Sequence, residues 1–328
     1  MKKVIILIVV IVIFCNPIFA QEKKDSDKFK VDKSKLFPKI TRLAITELTV
    51  NFKLTTTAKT IAQEKSSKNT AGARVSAYLE TTDGDLTLGD CQKITDHFYS
   101  YFQKKLKAGG IDTVGWNQII ASEFYSKISE DEEKNDEDSK KGGGGNEWIT
   151  ATANKGKIVH SGKIGFAGGK GKRSLEFVKD IGAVAASFKL VVDFADVMVN
   201  LDIKTTQSKT NGDWYTPAVT SKKYTWAVNP EMRIGDAENT WTYIWGSKGW
   251  PEFVTQWNDI SSPGKYADSM TEDVSKARSG VAKQFAFRKE LTPVLIQATR
   301  EKYIEAARKA CEKYADAFVE RINAEKGK

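Results

Sequence analysis

Between residues 43 and 108 the apolar residues change period from about two to about 3.6, and few folds accommodate that change. Leu43 and Ile45 alternate with their neighbours. Leu48, Val50, Phe52 and Leu54 then alternate in the opposite phase. Period two belongs to a strand, and a slip near Thr46-Glu47 is what a β-bulge leaves in a sequence. From Leu88 to Ala108 the spacing is helical: Cys91, Ile94, Phe98, Tyr101, Phe102 and Leu106 form one stripe, and Gly109-Gly110 ends it. A long buried strand followed by a long amphipathic helix calls for a sheet with a helix laid on it.

The rest of the chain extends that pattern. Residues 55–72 are polar and read as a loop. Val75, Ala77 and Leu79 make a second strand, closed by Asp83-Gly84-Asp85. A short strand spans Ile111 to Val114, and Asn117 can cap a helix carrying Ile120, Phe124 and Ile128. Residues 162–173 form a Gly- and Lys-rich loop. Leu175, Val178, Ile181 and Ala185 give a further helix, and residues 188–196 fit helix or strand. Val197, Val199, Leu201 and Ile203 alternate, Asn211-Gly212 marks a hairpin turn, and Tyr224 and Trp226 lie on the return strand. A long helix from Pro293 to Asn323 closes the chain, with a stripe of Ile296, Tyr303, Ala307, Ala310, Tyr314, Phe318 and Ile322. The expected fold class is α/β to α+β: a mixed sheet with flanking helices, antiparallel hairpin additions and a long C-terminal helix.

The domain plan follows from composition. Lys2 and Lys3, the apolar run from Val4 to Cys15, Asn16-Pro17 and Ala20 have the order of a secretory leader, so residues 1–20 read as a signal peptide cut near Ala20-Gln21. The mature chain is then periplasmic or secreted. The apolar run is short for a membrane span; an uncleaved anchor is the alternative. Phe14 stands where a lipobox needs a small residue, which argues against a lipid on Cys15. Residues 21–36 read as a polar tether and 37–328 as a single α/β domain. Within it, Glu130, Asp131, Glu132, Glu133, Asp136, Glu137 and Asp138 precede four glycines, so 129–145 read as a disordered surface insertion.

The whole chain has a net charge of +9, which falls to +7 once Lys2 and Lys3 leave with the leader. The lysines are scattered, so solubility accounts for them, and no nucleic-acid partner is expected. Cys91 and Cys311 both sit on apolar helical faces. Export permits a disulfide between them, and spacing leaves the pairing open.

A search for catalytic chemistry returns little. His97 and His160 belong to no metal-binding spacing. There is no HExxH or GxSxG, and no Gly-Lys pair is followed by the Ser or Thr of a phosphate loop. The acidic insertion lacks the Gly and Glu of a calcium loop. Neither a metal nor a cofactor is expected, and the chain is not expected to be an enzyme.

One cluster stands above background. Trp214, Trp226, Trp241, Trp245, Trp250 and Trp257, with Tyr215, Tyr224 and Tyr243, crowd into residues 214–257. Trp241, Tyr243 and Trp245 share a strand face and are expected in the core, with Thr240, Thr242 and Ile244 on the more polar face toward water. The alternative is an exposed platform for glycans or a partner protein. Trp214, Trp250 and Trp257 are the candidate contacts, with Asn211 and Asp213 to bond hydroxyls.

The order of elements also resembles a family. The strand Leu43-Ala-Ile-Thr-Glu-Leu-Thr-Val leads to the helix Ile94 to Leu106. Gly109-Gly110-Ile-Asp-Thr-Val precedes a helix near Asn117, Ala195-Asp196-Val197-Met198-Val199 enters a strand and hairpin, and an amphipathic helix ends the chain. Over residues 40–205 this resembles the α/β core of the curli-secretion (CsgG-like) family, itself similar to the N-terminal domain of TolB. The resemblance implies no enzyme activity. It implies an assembly, adaptor or envelope-binding role with an envelope protein or a glycan as partner, and self-association stays open. The reading taken is an exported, non-enzymatic envelope protein; a carbohydrate- or peptidoglycan-binding protein is the alternative.

Overall fold

The structure, a computed structural model, describes residues 24–31, 36–63, 70–126, 147–158, 170–209, 215–235, 240–246, 252–256, 258–262, 264–277 and 292–327. A single turn at Asp25–Lys28 leads into β1 (Phe29–Val31). Then come β2 (Arg42–Lys53), β3 (Thr55–Gln63), β4 (Thr70–Thr81) and helix α1 (Leu88–Ala108). Strand β5 (Asp112–Thr113), helices α2 (Trp116–Ile120) and α3 (Glu123–Ser126), and β6 (Trp148–Thr152) follow. Helix α4 (Lys170–Ile181) precedes β7 (Val184–Asp193), β8 (Asp196–Lys209) and β9 (Tyr215–Asn229). Short strands β10 (Arg233–Ile234), β11 (Trp241–Trp245), β12 (Glu252–Gln256), β13 (Ile260–Ser261) and β14 (Ser269–Thr271) follow. The chain ends in β15 (Thr292–Ala298) and α5 (Arg300–Lys326).

The fold is mixed α/β. In the main sheet β2 and β7 run parallel at the centre, with β5 and β6 on the outer side of β2. On the other side β7 carries β11, β12 and β1 in antiparallel order, and its far end carries β10 and β13. The register between β2 and β7 shifts between Ile45 and Glu47, where the sequence phase slips. The bulge has a clear purpose. It puts Leu43 and Ile45 on the same face as Leu48, Val50 and Phe52, so both apolar sets enter one core.

That core lies under α1 and α5. Phe102 and Phe318 meet Phe188 of β7, with ring centroids 5.1 and 5.2 Å apart. Asp90 binds Arg300, His97 meets Glu312, and Lys105 meets Asp316, so the two helices run parallel. Thr87 and Asp90 form a capping box at the start of α1. Asp90 also takes the guanidinium of Arg300, the first residue of α5, which ties the two helix starts together. Burial alone would raise the Asp90 pKa; hydrogen bonds from Thr87 and the charge of Arg300 outweigh it and hold the carboxyl below its ordinary value. The opposite face carries a second cluster, in which Phe124, Tyr125, Phe177 and Val178 cover Trp241, Tyr243 and Trp245.

Several expectations need correction. The stretch 21–36 is not simply a tether: Phe29 is buried against Tyr314 and Phe318, and β1 pairs with β12. The described residues of 55–72 are strand, not loop: 55–63 form β3 and 70–72 open β4, and β3 pairs with β4 along its whole length. The C-terminal helix begins at Arg300, after a Thr299 cap; residues 292–298 form β15, parallel to β4. The expected helix after Asn117 is two short ones, capped from Gly115, and α4 stops at Ile181, before Ala185. Residues 188–193 resolve as strand. Thr242 and Ile244 do not face water, because α5 covers their side of the sheet. Thr242 Oγ1 lies 3.2 Å from the Tyr314 hydroxyl. The expected insertion 129–145, the expected leader and Asn211-Gly212 lie outside the described residues; β8 and β9 pair antiparallel.

Candidate functional site

The residues chosen as candidate contacts, Asn211, Asp213, Trp214, Trp250 and Trp257, lie outside the described residues. The described part of the aromatic cluster is core. Trp241 and Trp245 are buried under α3 and α4, and Trp226 packs half-buried on the main core. Tyr224 is the exception, at 53 % exposed. His97 is taken up by Glu312, at 2.6 Å, and His160 is not described. Cys91 and Cys311 are free and buried; burial first, then the charge of Asp90, pushes the Cys91 thiol up to about 12. Among the described residues no three His, Cys, Asp or Glu gather as metal ligands.

The chemistry that the fold does concentrate lies where the central strands end. After the bulge, the second face of β2 carries Glu47, Thr49, Asn51 and Lys53, all buried. Ser187, Lys189 and Asp193 continue this polar stripe on β7. Asn51 accepts a hydrogen bond from Thr150 at 2.8 Å. The stripe ends in an ionic cluster at the carboxyl ends of β2 and β7. Lys53 Nζ donates to Asp193 Oδ2 at 3.0 Å, with the two side chains only 5 % and 3 % exposed. Thr56, at the start of β3, donates to the same oxygen at 3.1 Å, and the Ala195 N–H donates to Oδ1 at 3.3 Å. Arg233 Nη2 stands 3.6 Å from Asp193, while its Nη1 reaches Asp196 at 2.8 Å and Asp259 at 2.7 Å.

The electrostatics follow from this packing. Burial works against the Arg233 charge, but Asp193, Asp259 and Asp196 outweigh it and hold the guanidinium above its ordinary pKa. Asp259 reaches Arg233 only because residue 235 is glycine: a Cβ there would sit 1.9 Å from Asp259 Oδ1. The Tyr266 hydroxyl donates to the Phe194 carbonyl at 2.6 Å, which closes the cluster from the side. Sequence reading missed these residues. The available signal was a charged residue, Lys53 or Asp193, closing each of two strands that have one wholly apolar face.

Apart from Asp259, beside β13, the charged members of the cluster stand where the chain enters or leaves β3 or the β8–β9 hairpin. Lys53 and Thr56 flank the step from β2 into β3. Asp193 and Asp196 flank the step from β7 into β8, and Arg233 follows the return from β9. Both hairpins are two-faced. In β8–β9 the pairs Val197–Val228, Val199–Trp226 and Leu201–Tyr224 share one face, and Asn200–Thr225 and Asp202–Lys223 share the other. In β3–β4 the pairs Thr56–Ala77, Ala58–Val75 and Thr60–Ala73 oppose Thr57–Ser76 and Lys59–Arg74. Strand β8 lies against β3 and β4, yet β8–β9 shares a hydrogen-bonded ladder with no other described strand. Ile61, at 74 %, Met198 and Tyr224 are exposed on these hairpins.

The fold and the site thus define a mixed α/β body in which a two-stranded hairpin, β8–β9, and the edge strand β3 of a four-stranded sheet, β14–β15–β4–β3, both start at one buried ionic cluster. Among the described residues no helix is long and apolar enough to cross a membrane. Comparison of the chain with family models, with curated proteins and with solved structures finds no match.

Proposed function

We propose that this is an exported, non-enzymatic protein of the cell envelope that works by assembly, joining copies of itself or an envelope partner through its β-hairpins. The observation that carries the reading is β8–β9. Its strands have 14 and 15 residues, about 45 Å at ~3.3 Å per residue, and form a two-stranded sheet of their own. A two-stranded hairpin is marginally stable alone, and its edges are templates for another strand. The apolar leader at residues 4–15 and the resemblance to the curli-secretion core favour the same reading. The Trp-rich region is a weaker basis for glycan binding, because Trp241 and Trp245 are interior residues.

Strand length favours one form of assembly. A strand of about 9–11 residues crosses a bilayer when tilted, and β8 and β9 exceed that. Hairpins from several copies, closed edge to edge, would make a barrel with no free edge.

The test is the mass of the mature protein by light scattering, in buffer and in detergent. It is set against a variant in which residues 200–225 are replaced by Asn-Gly, joining Val199 to Trp226. The full chain should assemble and the trimmed chain should stay monomeric with its melting temperature nearly kept. Assembly in detergent alone favours the barrel, and assembly in buffer favours a soluble complex. A monomeric full chain in both, with no envelope partner in cross-linked envelope extract, would sink the proposal.

A further inference from the structure

We infer that Asp193 is a positioning residue that locks the starts of β3 and β8 to the body as one unit, so that loosening this one carboxylate releases the two together. The inference rests on the assembly reading for its purpose, but its geometry stands independently. Asp193 is the last residue of β7, and its two oxygens serve different elements. Oδ2 holds Lys53 and Thr56, on either side of the turn into β3. Oδ1 takes the Ala195 N–H, in the two-residue step between β7 and β8. Arg233, close by, spans to Asp196 at the foot of β8 and to Asp259 beside β13. One side chain therefore touches the starts of two strands that are far apart in sequence.

A buried ion pair fits a lock better than a general stabiliser. Removing two charges from water costs about as much as their attraction returns, so such a pair contributes position more than stability. Breaking it by removing one partner leaves a stranded buried charge, and that penalty falls where the freed group can move to reach water. Here the groups that can move are the starts of β3 and β8: β4 is itself laddered to β15 by seven register pairs, which leaves β3 the edge strand of its sheet. Strands β2 and β7 are held along their length by nine register pairs, and α1 and α5 cover them. The β8–β9 hairpin has no such ladder beyond its own two strands.

The geometry also ranks the members. Lys53 and Thr56 act on β3 alone, Arg233 acts on β8–β9, and Asp193 acts on both. Only the aspartate should therefore couple the two.

Hydrogen–deuterium exchange on the full mature chain, kept dilute so that it is monomeric, separates these roles. Asp193→Asn should speed exchange in both β3 and β8 by roughly a hundredfold to a few thousandfold, the size expected on breaking a buried ion pair. Exchange in β7 residues 184–190 and in α5 should stay unchanged. Lys53→Met should speed β3 alone, and Arg233→Met should speed β8–β9 alone. If Asp193→Asn does not fold, native-state exchange of the wild type in sub-denaturing urea carries the test: the first amides of β3 and β8 should share one opening free energy, below that of β7, and separate openings would overturn the lock. A uniform rise across body and strands, a rise in the wrong strand, or no change would overturn the lock. Light scattering on the same variants keeps the two ideas apart. If the wild type never assembles while Asp193→Asn frees both β3 and β8, the assembly reading falls and the lock stands. If the wild type assembles and exchange is unmoved, the lock falls alone.

Discussion

The pair Thr242 and Tyr314 offers a sharp test of how the sheet is covered. Alternation in β11 suggests that the threonine face meets water; in the structure, α5 lies on it instead. Thr242 and Tyr314 are 3 % and 1 % exposed, and their hydroxyls stand 3.2 Å apart. Tyr314→Phe removes one hydroxyl and strands the other in the core, at a cost of about 1–2 kcal/mol. Thr242→Val does the same from the other side, also at about 1–2 kcal/mol. The double variant removes both polar groups while keeping the shapes, so it should cost well below the sum, with a coupling of about 1 kcal/mol. Urea unfolding of the four proteins measures this, and each single change should lower the melting temperature by roughly 2–6 °C. The ring of Tyr314 also packs edge-on against Phe29 and Phe98, and Phe in its place keeps those contacts, so the cycle isolates the hydroxyl. Additive singles, or singles within about 0.3 kcal/mol of wild type, would mean that the two groups do not meet and that α5 does not cover β11.

Three further outcomes follow from the packing. Trp245→Ala should destabilise by about 3–5 kcal/mol in the same assay, because its ring is enclosed by α4 and β7 residues; strong acrylamide quenching of this tryptophan would contradict that. Phe29→Ala should cost about 3–4 kcal/mol, an effect that a mere tether could not produce; unchanged melting would restore the tether reading. Asp90 has a folded pKa below its unfolded value, so its contribution is complete above the unfolded carboxylate value of about 3.9 and is lost as pH falls through the folded one. Asp90→Asn should therefore narrow the gap to wild type in acid titrations of stability below about pH 4, while a gap that widens there would reverse the sign.

The parts of the fold that sequence reading recovers are those where one face is apolar and the other is not. The bulge at Thr46 is legible because Leu43, Ile45, Leu48, Val50 and Phe52 must all reach one core, and only an inserted residue reconciles their phases. Helix α1 is legible to the residue, because Thr87, Asp90 and Gly109 mark its ends. Strand β15 is not. Val294, Ile296 and Ala298 enter the main core while Leu295 is buried with Tyr78 and Val274 on the other side, so both faces are covered and no period survives. A short apolar run of that kind cannot be told from the first turns of a helix; the helix start is marked in the structure by Thr299, whose side chain accepts from the Lys302 N–H. Strand β3 fails for the opposite reason: its covered face is built from threonine and alanine, which carry too little hydrophobic contrast to show against a polar background.

The ionic cluster was hidden by distance along the chain. Lys53 and Asp193 are 140 residues apart, and Arg233 lies 40 further on; spacing analysis looks for partners within a few turns of each other. What sequence does hold is a mismatch. Lys53 and Asp193 each follow a strand rich in buried apolar residues, at the point where the chain leaves the main sheet for a hairpin. A charge of either sign at such a place is costly unless an opposite charge meets it. When two buried strands run in parallel and end in residues of opposite sign, their parallel register brings those ends together without further instruction. The pairing of Phe52 with Val192 does this here, setting Lys53 beside Asp193 at the shared root of β3 and β8.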